Sequence, residues 1–225
     1  MCRVSWRLGT VDKPDGLLKN HYRPTATLGG IPLSMAIIAG MAVLFATGFG
    51  FERGSIKAVH LDVSWGAMLV AGFVIVALGT TDDIRHIQPR GKLVFQMLAS
   101  SVLIGSGLII HHVDFFGFFD FNLSGLAVPF TLFWLVGSFN AFNFIDGLAS
   151  GIGLIVSLVL AGLGFAGGHY GAAIMALSLV GGLLAMLFFN VKPAMIFLGD
   201  GGSQLLGLFI GAISIDILTR SGDHS

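Results

Sequence analysis

Gly79-Thr80-Thr81-Asp82-Asp83-Ile84-Arg85-His86-Ile87 sets two adjacent carboxylates at the end of an apolar run. No charged residue lies between Trp65 and Leu78, so the pair stands where a membrane helix would emerge into the headgroup region. Adjacent acids repel each other and an anionic lipid surface, and a divalent cation relieves both. Mg²⁺ suits the pair, because it is hard, takes carboxylate oxygens, and commonly bridges one or two of them to substrate phosphates. The plain alternative is a solvated helix end whose acids cap the following turn.

Two further stretches carry polar chemistry. Asn143-x-x-Asp146-Gly147 sets an amide and a carboxylate about one helical turn apart at a helix end, so both could face one pocket. Its alternative is ordinary turn chemistry, which Asn and Asp-Gly also favour. Gly199-Asp200-Gly201-Gly202-Ser203 offers a carboxylate beside flexible backbone at the start of a helix, where free N–H groups and the helix dipole attract phosphate. A plain glycine loop is the alternative there. Carboxylates for a metal, amides for phosphate and basic residues for an anion share one chemistry, metal-assisted phosphoryl transfer at a membrane surface.

The elements that would carry these motifs are membrane helices. The 225 residues are 55% hydrophobic and 11% charged, with a mean hydropathy of +0.89. A soluble domain typically has about 25% charged residues, so an all-α, multi-pass transmembrane bundle is expected. Residues 1–225 read as one integral membrane domain: a cytoplasmic segment 1–27, a bundle 28–218 and a tail 219–225. Seven apolar runs are expected to span, over Leu28–Gly50, Ser64–Thr81, about Leu93–Ile110, about Gly125–Phe142, Leu148–Ala166, Gly171–Phe189, and from Ser203 to about Leu218. Each approaches the length that about 1.5 Å per residue needs to cross an apolar core roughly 30 Å thick. His111-His112 could ligate a metal, but with the aromatic stretch Phe115–Phe121 they read as an interfacial anchor. Twelve basic residues balance twelve acidic ones, which predicts no nucleic-acid partner. Cys2 is alone and forms no internal disulfide.

Counting sides gives an independent test. With residues 1–27 inside, the second, fourth and sixth spans all return inside, and Asp82, Asp83, Asn143, Asp146, Asp200 and Ser203 share that face. The same face takes Arg3, Arg7, Lys13, Lys19, Arg23, Arg85, Arg90, Lys92 and Lys192, against Arg53, Lys57 and Arg220 opposite. That asymmetry fits the excess of basic residues on cytoplasmic loops.

Five motifs then come in a familiar order: Val11-Asp12-Lys13-Pro14; His21-x-Arg23-Pro24 with Gly29-Gly30-Ile31; Asp82-Asp83 with Lys92; Asn140-Ala141-Phe142-Asn143-Phe144-Ile145-Asp146-Gly147; and Gly199-Asp200-Gly201-Gly202-Ser203. In these, over nearly its whole length, the chain resembles the polyprenyl-phosphate N-acetylhexosamine-1-phosphate transferases. These include the undecaprenyl-phosphate GlcNAc-1-phosphate transferases and the MurNAc-pentapeptide phosphotransferase. The resemblance implies transfer of a sugar-1-phosphate from a UDP-sugar to a polyprenyl phosphate on the cytoplasmic membrane face, with release of UMP and a need for Mg²⁺. It makes Asp83 and Asp200 the metal ligands and Asp82 the acid that orients or deprotonates the lipid phosphate. Asn143 and Asp146 become pocket residues, and Lys92, Gly199 and Ser203 join the substrate-binding set. Lys13, His21 and Arg23 fall on the nucleotide side. A homodimer stays open as an assembly.

The departures carry expectations too. The family reads Asp-Gly-x-Asp-Gly where this chain has Asp146-Gly147-Leu148-Ala149-Ser150, so a carboxylate expected near the nucleotide base is replaced by Ala149. Restoring it is expected to act on UDP-sugar binding. The family also has further spans at both ends and a His-rich loop that would fall beyond Ser225, so the chain reads as truncated and its own turnover is expected to be poor. A non-catalytic relative that binds lipid phosphate or a partner is the second reading. A transporter is the third, though acids at helix ends suit it less than acids at mid-span.

Overall fold

The computed structural model describes residues 11–12, 25–47, 63–85, 87–115, 119–190 and 196–220. Lys13, His21 and Arg23 lie outside the described residues. The described part is a helical bundle with two small antiparallel hairpins. The helices are α1 (Gly30–Thr47), α2 (Val63–Arg85), α3 (Pro89–Gly105), α4 (Ala127–Phe144), α5 (Asp146–Ala166), α6 (Tyr170–Asn190) and α7 (Gly199–Arg220). Strands β1 (Val11–Asp12) and β2 (Thr25–Ala26) pair, as do β3 (His112–Phe115) and β4 (Phe119–Asn122).

Among the described residues, five helical segments are long and apolar enough to cross a membrane: 66–85, 124–144, 146–166, 170–190 and 199–218. Helices α1 and α3 are not among the five, although seven spans are expected from the sequence. The third apolar run shows why. Pro89 opens α3 before the run begins, its missing N–H costing nothing in a first turn. The helix then stops at Gly105, well short of Ile110. Gly107 takes the left-handed conformation (φ 97°), and Leu108 N–H returns to the Leu103 carbonyl at 3.2 Å, closing a glycine C-cap. Leu108, Ile109 and Ile110 leave in extended form, and Ile110 N–H donates to Thr131 Oγ1 at 2.9 Å. The aromatic stretch that follows is a hairpin, with Val113 opposite Phe121.

Helix α7 is the hub. Within its span 89% of the residues are buried, against 28–50% for the other four, and it packs against α1, α2, α4, α5 and α6. An apolar helix enclosed by its neighbours needs no polar face, and Leu205, Leu208, Phe209, Ala212 and Ile213 are all buried. Small residues let the backbones close in. A Cβ on Gly207 would fall 2.5 Å from the Ser138 carbonyl oxygen of α4, and one on Gly153 of α5 would fall 2.5 Å from Leu206. Such contacts favour glycine at helix interfaces in lipid.

Candidate active site

The polar motifs meet at one end of the bundle, around the first turn of α7. Three helix boundaries differ from the sequence expectation, and each difference brings a motif into the site. The second apolar run continues as helix through Arg85, so Asp82 and Asp83 occupy the last turn of α2 rather than the loop beyond it. The seventh helix begins at Gly199, not after Ser203, which places Asp200 in its first turn. Asn143 and Asp146 do not share a helix: α4 ends at Phe144, Ile145 is the joint, and Asp146 opens α5.

Glycine makes the convergence possible. Gly29 N–H donates to the Phe197 carbonyl at 3.1 Å and Gly30 N–H to the Leu198 carbonyl at 2.9 Å, laying the start of α1 against the strand-like approach to α7. A Cβ on Gly30 would fall 2.5 Å from Gly202 N, and one on Gly79 would fall 2.2 Å from Gly201 Cα. Gly199 has φ 71°, and a Cβ there would meet both the Thr27 carbonyl and Asp83 Oδ2. Glycine is needed at that position for conformation and for space.

Lys92 is the electrostatic centre of the arrangement. From the first turn of α3 its ammonium is ion-paired with Asp82 Oδ2 and with Asp200 Oδ2. Burial alone would lower its pKa, but the hydrogen bonds it donates to Asp200 and Asp82 more than offset that and hold it above the usual lysine value. The ammonium therefore stays charged at neutral pH. Asp200 N–H donates to Asp83 Oδ1 at 3.2 Å, so Asp83 accepts from an amide in the first turn of α7. Ile87 N–H donates to Asp82 Oδ1. Asp146 stands near enough for its charge to be felt at Asp83. Ser203 Oγ donates to Asn143 Oδ1 at 2.9 Å, tying α7 to the end of α4.

The structure thus brings together Asp82, Asp83, Lys92, Asn143, Asp146, Gly199, Asp200 and Ser203. Among the described residues, no three His, Cys, Asp or Glu side chains form a set that could hold a metal ion alone. The two carboxylates that face a common cation are those of Asp82 and Asp200. That fits an ion held by one or two protein carboxylates and completed by substrate phosphates. His111 and His112 lie at the β3–β4 pair, with His112 opposite Asn122.

A small pocket adjoins this cluster. Ile75, Leu78, Ile87 and Phe95 supply its apolar wall, and Asp82, Lys92 and Gln204 supply its polar end. Gln204 belongs to a chain of amides that the sequence reading did not single out. Asn140 Nδ2 donates to Gln96 Oε1 at 3.0 Å, and Gln96 Nε2 donates to Gln204 Oε1 at 3.1 Å. This links α4, α3 and α7 one helical turn below Lys92. The available signal was Gln96 itself, a lone amide inside an apolar helix, four residues after Lys92 on the same face.

Gln96 is 2% exposed and Gln204 5%, so breaking the chain leaves buried amides without partners. Gln96→Leu is expected to cost about 1–3 kcal/mol, measured as a lower unfolding temperature in detergent. A variant that melts with the unaltered protein would show that the chain of amides contributes nothing.

Ala149 adds a stability cost to the expectation built on the resemblance. It is fully buried on α5 and part of the core, so a carboxylate there would be desolvated. Ala149→Asp is expected to destabilise the protein by about 3 kcal/mol or more. Unfolding by heat, with and without UDP-GlcNAc, separates this from a binding effect. Undiminished stability together with tighter nucleotide binding would restore the first expectation.

A family model described as glycosyl transferase family 4 matches residues 65–218, more than half of the chain and every helix from α2 to α7. The chain belongs to glycosyl transferase family 4. Among curated relatives, it is 30% identical over 226 residues to a probable undecaprenyl-phosphate N-acetylglucosaminyl 1-phosphate transferase of Bacillus subtilis, covering 97% of this chain and 58% of the relative. It is 34% identical over 209 residues to a decaprenyl-phosphate N-acetylglucosaminephosphotransferase of Mycolicibacterium smegmatis, with 86% and 50% covered. It is also 34% identical over 209 residues to a phospho-N-acetylmuramoyl-pentapeptide-transferase of Listeria monocytogenes, with 85% and 60% covered. The chain spans 50–60% of the length of these relatives. With its five span-length helices, this family member is a multi-pass membrane protein.

Proposed function

We propose that this protein transfers a sugar-1-phosphate, GlcNAc-1-phosphate in the first instance, from a UDP-sugar to a polyprenyl phosphate at the cytoplasmic face of the plasma membrane, releasing UMP. The observation that carries the reading is the convergence of Asp82, Asp83, Lys92 and Asp200 at one end of a bundle of span-length helices. A lipid phosphate suits such a place, with its apolar tail beside the helices and its anionic head at their polar ends. Two of the curated relatives are named for a polyprenyl phosphate and for the N-acetylglucosaminyl phosphate group, which supports the acceptor and the group transferred.

In the reaction, an oxygen of the lipid phosphate attacks the phosphorus attached to the sugar. The bond from that phosphorus to the bridging oxygen of UMP breaks, and UMP leaves with the electron pair. Asp82, which lines the pocket with Lys92, orients the acceptor phosphate and accepts its proton when it is protonated. The ammonium of Lys92 offsets charge on the phosphoryl oxygens, and the amides at the start of α7 add their partial positive charge. Asp82 and Asp200, whose carboxylates face one cation, would hold Mg²⁺ together with Asp83, the ligand that the resemblance pairs with Asp200, and Mg²⁺ would supply neutralisation of the diphosphate. Asn143, fixed by Ser203, and Asp146 are assigned to the donor side, and the resemblance alone assigns Lys13, His21 and Arg23 to the nucleotide.

The test is release of UMP from UDP-GlcNAc with undecaprenyl phosphate in detergent, with Mg²⁺ or with EDTA. Release that requires both the lipid and the divalent cation is expected. Lipid-independent release would overturn the polyprenyl acceptor, and lipid binding with no release under any condition would favour the non-catalytic reading.

A further inference from the structure

Lys92 holds two acids that come from different helices. Its ammonium contacts Asp82 Oδ2 on α2 and Asp200 Oδ2 on α7, and its side chain is 27% exposed. A divalent cation entering between α2 and α7 needs those same two oxygens. We propose that Lys92 is an exchangeable internal counter-ion: it competes with a divalent cation for Asp82 and Asp200, and on displacement presents its ammonium to a phosphate. The proposal rests on the metal-assisted reading above and adds to it an ordered coupling between metal and anion.

Three observations support the exchange. The contest is direct, because an ammonium and a dication on adjacent carboxylate oxygens repel at close range. The displaced group is free to go: Lys92 sits on α3, on a flexible four-carbon stem, whereas Asp200 stays anchored through its N–H to Asp83 Oδ1. The local charge also favours a second cation. Asp82, Asp83, Asp146 and Asp200 converge on the site, and the described basic groups at that end are Lys92 and the exposed Arg85 and Arg90. Neither arginine is ion-paired to these acids among the described contacts.

Linkage then fixes the direction of coupling. A phosphate that draws Lys92 away removes the competitor and tightens the metal, and by reciprocity the metal tightens the phosphate. A site of this kind keeps its acids neutralised without metal and releases a phosphate-binding cation when metal arrives.

Mn²⁺ binding to the purified full chain in detergent, followed by loss of the free-ion signal in electron paramagnetic resonance, tests this without any turnover. Lys92→Gln is expected to bind Mn²⁺ on the order of tenfold more tightly or better. Lys92→Arg, whose planar fork grips carboxylates more firmly, is expected to bind it no more tightly than the unaltered chain. Folding of each variant is checked by thermal unfolding, and the arginine variant alone suffices where the glutamine variant does not fold, since tighter Mn²⁺ binding by it overturns the proposal. Equal or weaker binding by a folded Lys92→Gln also overturns it while leaving the metal reading in place. Absence of saturable Mn²⁺ binding in all three proteins overturns both.

Discussion

Replacing Gly79 with alanine is expected to dismantle the site by separating α2 from α7. The added Cβ would lie 2.2 Å from Gly201 Cα, 2.4 Å from Gly201 N and 2.9 Å from the Asp200 carbonyl carbon. These are backbone atoms on the hub helix, so no side-chain rotation relieves them and the helices must move apart. Inserting one carbon into a packed interior typically costs about 1–3 kcal/mol. A contact with rigid backbone falls at or above the upper end of that range. Gly137 of α4 and Gly162 of α5 are the controls, because a Cβ on either meets nothing within 4 Å. Alanine there is expected to be neutral or to stabilise by up to about 1 kcal/mol through helix propensity. Thermal unfolding of the three variants in detergent checks the opposite signs. A Gly79→Ala protein that melts with the controls would show that α2 and α7 do not cross so closely.

Asp83→Asn and Asp200→Asn are each expected to lower UMP release by on the order of 10³-fold, about 4 kcal/mol in barrier. The two changes act differently. An asparagine at position 83 still has a carbonyl oxygen to accept from Asp200 N–H, so the structural contact survives and only charge is lost. At position 200 the substitution also weakens the hold on Lys92, and the ammonium shifts towards Asp82. Asp83→Asn is therefore the cleaner measure of what the charge contributes, and it should keep the unfolding temperature nearly unchanged. Release within a few-fold of the unaltered protein for both variants would remove these carboxylates from the reaction.

The bundle and its polar end were legible because apolar runs and acids are written directly in the residue types. Hydropathy reports where a chain meets lipid, however, and hydrogen bonding decides where a helix stops. Thr80-Thr81-Asp82-Asp83 reads as an exit from the membrane, yet the backbone stays helical through Arg85. The third run is equally apolar to Ile110, yet Gly107 ends its helix early. Pairings between distant residues were not legible either. Nothing in the spacing joins Gln96 to Gln204, or Lys92 to Asp200, 108 positions away in each case. Gly79 and Gly201 look like two of 33 glycines until the helices are seen to cross there. Lys13, His21 and Arg23 fall outside the described residues, and their share of the site rests on the resemblance alone.

The enclosure of α7 also bears on how the protein comes to be made. Ribosomes deliver the chain from the N-terminus, and helices made earlier must reach the membrane before those made later. Asp83 precedes Asp200 by 117 residues, so α1 through α6 are all synthesised while the slot they surround lacks its occupant. Helices α1 to α6 then lack the neighbour that α1, α2, α4, α5 and α6 pack against, and the interfaces that α7 completes can close only after it enters. The carboxylates of α2 cannot be joined to their partner before that step. Assembly of the site thus waits for α7, and a ribosome stalled before residue 199 should release a membrane-inserted protein without it.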